Sequence, residues 1–118
     1  TIPQKIPICA DESVHTPEHL PSLRQRYDWV NIKLDKCGGL TSGLDMLEKA
    51  QNLGFGTMIG CMLGTSLAMA PALLLAGQAD MADLDGPLWL KQDRNPSLTH
   101  KKGQILTKTT DLWGEGRK

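Results

Sequence analysis

The chain has 118 residues, enough for one small domain with a hydrophobic core. Thirteen basic side chains balance thirteen acidic ones, so no charge excess points to nucleic acid or to an anionic membrane as a partner. The longest apolar run, residues 67–76, is too short to span a bilayer and contains Pro71.

The elements alternate. Residues 5–10 form a short apolar strand that ends in Asp11-Glu12-Ser13. Thr16-Pro17-Glu18 then opens a helix: Thr16 can cap, Pro17 suits the first helical position and Glu18 complements the dipole. This helix is expected to run to about Tyr27, with Leu20 and Leu23 inward. A second strand covers residues 28–34. Leu40, Leu44, Leu47, Ala50 and Leu53 recur at helical spacing, and Gly54 is a stop signal. Residues 55–60 are a third strand. The apolar stretch 66–76 is a helix packed against protein, kinked or started late at Pro71. Residues 80–84 are a fourth strand, running into Asp83-Leu84-Asp85-Gly86-Pro87. After Pro96, residues 97–100 and 104–107 flank a Lys101-Lys102-Gly103 turn and form a hairpin. Residues 109–118 are a polar tail with Trp113 as its one large apolar anchor.

Alternating strands and helices imply a parallel sheet. A closed β/α barrel needs about 250 residues, so four units followed by a hairpin look like the second half of one. The expected fold class is α/β: the C-terminal half of a (β/α)7β TIM-like barrel. Residues 1–96 would supply strands five to eight, and residues 97–118 would pack toward a missing capping domain. Open barrel edges attract strands, so the chain is read as a portion of something longer, and a homo-oligomer is compatible with it. Residues 1–5 lack a secretory leader. Cys9, Cys37 and Cys61 are odd in number and outside C-x-x-C spacing, so the expected compartment is the cytoplasm.

Chemistry in such folds sits at strand ends. If the second strand continues through residue 36, Asn31, Lys33 and Asp35 share one face and Ile32, Leu34 and Lys36 the other. Lys36 is then off phase, structural, or a salt-bridge partner near the site. Asp83 and Asp85, two apart on a strand, point to one side and repel unless a cation lies between them. Gly38-Gly39 is a tight turn rather than a phosphate loop. His15, His19 and His100 show no metal-ligand spacing.

Taken together, Ala10-Asp11-Glu12-Ser13, Asn31-Ile32-Lys33-Leu34-Asp35-Lys36-Cys37-Gly38-Gly39, Gly60-Cys61-Met62-Leu63 and Asp83-Leu84-Asp85-Gly86-Pro87 resemble the enolase superfamily. Within its muconate-lactonizing subgroup they are most similar to dipeptide epimerases of the L-Ala-D/L-Glu type. The resemblance implies a Mg²⁺-dependent isomerase that removes the proton α to a carboxylate through an enediolate, as in recycling of cell-wall peptides. Asp11 would be a Mg²⁺ ligand and Lys33 one of two lysine acid/base catalysts. Asp83 and Asp85 would hold the α-ammonium of a small dipeptide, and Cys61 and Met62 would line the pocket. Glu12 and Asp35 are candidates for orienting these groups. The superfamily's other lysine, in a Lys-x-Lys motif, and its two other metal carboxylates are absent from this sequence. The chain alone is therefore expected to be inactive and to need the missing N-terminal half.

Other readings stay open at this point. One is a sister enzyme of the subgroup: muconate cycloisomerase, o-succinylbenzoate synthase or N-acylamino acid racemase. Another is a Schiff-base aldolase with Lys33 as nucleophile, and a third is a non-catalytic fragment.

Overall fold

The structure, a computed structural model, describes residues 6–106 and Leu112. Four strands lie parallel in the order β1 (Cys9–Ala10), β2 (Trp29–Lys33), β3 (Gly56–Gly60) and β4 (Met81–Ala82). Strands that neighbour one another in chain order, with no reversal, make an arc of a barrel; a doubly wound sheet would fold back about its first strand. The half-barrel expectation holds. The strands are shorter than expected: β1 and β4 have two residues each. Lys5, Thr107 and the tail anchor Trp113 lie outside the described residues.

Register explains the two faces. Ala10, Val30 and Thr57 lie side by side, as do Ile32, Ile59 and Ala82. Val30, Ile32, Thr57 and Ile59 are fully buried, on the face covered by α3 (Leu40–Asn52) and α5 (Ala72–Ala76). The opposite, concave face carries Trp29, Asn31 and Lys33 from β2, beside Gly56, Met58 and Gly60 from β3.

The first helical segment is a 3₁₀ turn (Pro17–His19) followed by α1 (Leu20–Leu23). It stops short of Tyr27, and Thr16 makes no side-chain cap. Leu20 and Leu23 are buried as expected. In α3 the inward residues are Gly43, Met46, Leu47 and Ala50, while Leu44 and Leu53 stay partly exposed. The leucine pattern found the helix but drew its inner stripe too wide. The apolar stretch 66–76 is broken at Pro71 into α4 (Ser66–Met69) and α5, as the missing proline N–H requires. It is not covered all round, because Leu67 and Leu74 reach solvent.

The hairpin of β5 (Thr99–Lys101) and β6 (Gln104–Leu106) turns at Lys102-Gly103, both with positive φ, as a two-residue primed turn requires. The approach to it is held to the barrel arc by Ser66. The Ser66 hydroxyl accepts from the Leu98 amide at 2.9 Å and donates to the Asp93 carboxylate, which also accepts from the Ser66 amide at 2.9 Å. The carboxylate thus satisfies an amide orphaned at the start of α4. Burial pushes the Asp93 carboxyl up, but the Ser66 hydroxyl and amide and the Arg94 amide outweigh it and hold the pKa below the ordinary 3.8. A folded pKa below the unfolded one stabilises the fold above the unfolded value and loses that contribution as pH falls through the lowered one. Asp93→Asn should therefore lower Tm by a few degrees at pH 7. The gap to the parent protein should close as pH drops below about 3.8. Parallel thermal melts of both proteins from pH 7 to pH 3 check it. Among the described residues no helix is long and apolar enough to cross a membrane.

Candidate active site

The four parallel strands deliver their C-terminal ends to one rim. Asp11 follows β1, Lys33 ends β2, Cys61 follows β3, and Asp83 follows β4. Lys33 and Asp11 meet directly, with the Lys33 Nζ donating to Asp11 Oδ2 at 3.0 Å. The Lys33 side chain is only 11% exposed, against 42% for Asp11.

Lys36 belongs to the same cluster, although strand alternation put it on the far face. The chain leaves the extended conformation at Leu34 and enters one helical turn, α2 (Leu34–Cys37). Three residues along a helix return to the same side, so Lys36 comes back over Lys33. Its Nζ, 9% exposed, donates to Asp11 Oδ1 and to the Asp11 carbonyl oxygen, each at 2.7 Å. The same turn carries Asp35 outward. It is exposed and makes no hydrogen bond or ion pair with Lys33 among the described residues. Gly38 (φ 92°) and Gly39 (φ 100°) stop the turn, with both amides donating to the Leu34 carbonyl. L side chains rarely adopt these angles, so the Gly-Gly pair is what lets α2 end after one turn and α3 begin.

Two ammonium groups on one carboxylate set the electrostatics. Burial pushes the Asp11 carboxyl up, but Lys36 and Lys33 outweigh it and the pKa falls below 3.8. Burial alone pushes the Lys33 ammonium toward neutrality, yet Asp11, with Glu12 and Cys61 behind it, holds the pKa above the ordinary 10.5. On balance this chain's own groups do not make Lys33 easier to deprotonate, because its nearest charge is negative. Glu12 stands back at 3.7 Å from Lys33 and 3.9 Å from Lys36, and is largely solvated. It contributes little.

Asp83 and Asp85 lie past the short β4, in a loop rather than on the strand, so strand alternation is not what brings them together. They still line one cavity of about 520 Å³, with Leu73, Leu88, His100 and Ile105. Among the described residues neither carries a salt bridge. Cys61 is half-buried between this loop and Lys33. Burial pushes its thiol up, the Gly86 amide opposes the rise, and the Asp83, Asp85 and Asp35 carboxylates add to it. A neutral thiol suits a wall better than a nucleophile. Met62 is exposed beside it. The 520 Å³ cavity is lined by neither Lys33 nor Asp11; the rim joins the two groups of residues through the Cys61 segment.

Asn31 shares the concave face with Lys33 and is 6% exposed, with no partner for its Oδ1 among the described residues. Gly60 makes room for it: a Cβ there would stand 2.4 Å from that oxygen.

Asp11 suits a hard cation. It is a partly exposed carboxylate at a strand end, although a cation there would have to share its oxygens with Lys33 and Lys36. Among the described residues no group of three or more His, Cys, Asp or Glu could hold a metal.

Residues 1–110 match the family model described as enolase C-terminal domain-like. The chain is 56% identical over 109 residues to an N-acetyl-D-glutamate racemase of Pseudoalteromonas, covering 92% of this chain and 35% of that protein. It is 52% identical over 100 residues to the L-Ala-D/L-Glu epimerase of Escherichia coli K12, covering 85% and 31%. Among solved structures it superposes with a TM-score of 0.89, at 56% identity, on an Agrobacterium tumefaciens enolase family member with homology to dipeptide epimerases. That structure has sodium and L-Ala-L-Glu bound, and the match covers 92% of this chain and 33% of the other. A Cytophaga hutchinsonii dipeptide epimerase complexed with Mg and D-Ala-L-Val matches with a TM-score of 0.77 at 27% identity, over 86% and 29%. The chain spans about a third of the length of the curated relatives it matches.

Proposed function

Because the chain belongs to the enolase C-terminal domain-like family, we propose that it contributes one wall of the active site of an epimerase acting on dipeptides of the L-Ala-D/L-Glu kind. The observation that carries this reading is the 3.0 Å contact between Lys33 Nζ and the Asp11 carboxylate at neighbouring strand ends. The rest of the metal sphere and a second acid/base group come from polypeptide outside this chain.

Each residue then has a task. Lys33 moves the α-proton at its Nζ, on one face of the substrate. In its present ion pair it is the acid form, ready to return a proton; it becomes a base when the Asp11 charge is engaged elsewhere. Asp11 is the residue that would hold Mg²⁺. The chemistry Mg²⁺ supplies there is charge, offsetting the second negative charge that a carboxylate acquires when its α-proton leaves. Lys36 keeps one Asp11 oxygen and the Asp11 backbone fixed. Asp83 and Asp85 offer unneutralised carboxylates to the substrate's α-ammonium. A Schiff-base route gains nothing from a carboxylate that keeps its lysine protonated.

The test is the complete enzyme, this chain joined to the remainder of the barrel, incubated with dipeptides and Mg²⁺ in D₂O. Deuterium should enter the α-carbon of the second residue; its absence across a dipeptide panel would refute the assignment. The similarity to an N-acetyl-D-glutamate racemase supports a second reading, a substrate with a blocked amine. The Asp83→Asn variant separates the two. On L-Ala-L-Glu its KM should rise about 10-fold or more, the scale of one charge-assisted hydrogen bond. On N-acetyl-glutamate it should stay unchanged. Normal turnover by the parent with the amine blocked, and none with it free, favours the second reading.

A further inference from the structure

Trp89 is 74% exposed, the highest value among the large aromatic residues described. Its indole finds a partner within its own turn. Its one hydrogen bond among the described residues is the donation of Nε1–H to Asp85 Oδ2 at 2.9 Å. The backbone makes that contact. Asp85 precedes a 3₁₀ turn (Gly86–Trp89) whose Gly86 and Pro87 are buried, and the Leu88 amide closes on the Asp85 carbonyl at 2.8 Å. The turn brings residue 89 back over residue 85.

The chemistry of the donor is the informative part. A lysine or arginine at this place would fix the carboxylate and cancel its charge. An indole N–H is a neutral donor with no acceptor capacity. It restrains one oxygen, leaves the other free, and leaves the negative charge intact. We propose that Trp89 is a positioning residue for Asp85, holding Oδ2 so that Oδ1 is presented to the ammonium of a free-amine substrate. This rests on the dipeptide reading above and adds to it a residue that touches the site only through Asp85.

The experiment compares the complete enzyme with Trp89→Phe, which keeps the ring and removes the donor, and Trp89→His, which restores an N–H. Thermal melts of the parent and both variants check that the fold is kept. On L-Ala-L-Glu, Trp89→Phe should raise KM about 5-fold with kcat within 2-fold, and Trp89→His should recover part of the loss. On N-acetyl-glutamate the parent and Trp89→Phe should not differ. In an Asp85→Asn background, Trp89→Phe should add less than 2-fold, because the partner is already altered. A Trp89→Phe KM within 2-fold of the parent, or an equal rise with both substrates, overturns the role of Trp89 while leaving the dipeptide reading intact. A parent enzyme that exchanges no α-proton of L-Ala-L-Glu overturns that reading, and this inference with it.

Discussion

Lys33→Met in the complete enzyme should lower kcat for α-proton exchange by about 10³-fold or more, with KM little changed. Positioned acid/base groups contribute about 10²–10⁴-fold. The loss is of transition-state stabilisation rather than of uniform substrate binding. Methionine is close in length, and Lys33 is mostly buried, so the cavity effect is small. Asp11 keeps both contacts from Lys36, so its carboxylate is not stranded, and Tm should move by only a few degrees. Lys33→Arg is the sharper control. It keeps the positive charge beside Asp11 but cannot give up a proton near neutral pH. It should fold like the parent and be as inactive as the methionine variant. Deuterium exchange followed by proton NMR reads all three. Exchange at a tenth of the parent rate or better in either variant would remove Lys33 from the chemistry.

Lys36→Met should cost about 10²-fold in kcat and about 2 kcal/mol of stability, although Lys36 has no direct role in moving the proton. Its ammonium ties the Asp11 carbonyl and one carboxylate oxygen to α2. Removing it leaves the carbonyl with the Val14 amide alone and the carboxylate held through one oxygen, by Lys33. Hydrogen bonds to charged groups contribute about 1.5–3 kcal/mol, and the partial exposure of Asp11 puts the cost in the lower half of that range. A displacement of about 1 Å at a reacting centre can cost about 10²-fold. Titration calorimetry with Mg²⁺ gives a readout independent of turnover: affinity should fall together with kcat. A Lys36→Met enzyme with the parent's metal affinity and rate would show that Asp11 is held by the rest of the loop.

The contrast between these two lysines shows where sequence reading works. Lys33 was legible because it ends a strand, and strand ends in a β/α fold converge by topology alone. The Gly38-Gly39 pair and Pro71 were legible because their backbone constraints act locally, wherever the chain goes. The hairpin was legible for the same reason. Lys36, allowed as a salt-bridge partner near the site, was put on the wrong face because alternation was carried three residues past the end of the strand at Lys33. Leu34 starts a helical turn, and a change of period from two to 3.6 moves every later side chain to a new direction. The same slip put Asp35 beside Lys33 and placed Asp83 and Asp85 on a strand that ends at Ala82.

Two residues were out of reach from sequence. Nothing local separates Trp89 from a core tryptophan, and only the 3₁₀ turn sets its N–H on Asp85. Asn31 reads as an ordinary strand residue until Gly60, the register partner of Lys33 on the next strand, is found diagonally across from it, leaving space that its amide enters. By itself the sequence determined the order of elements, the parallel arc and the strand-end positions of Asp11 and Lys33, because these follow from local backbone preference and chain connectivity. The tertiary structure alone decided which charges touch. A hydrogen bond is made or lost over about half an ångström, and that distance depends on where each strand stops and each turn begins.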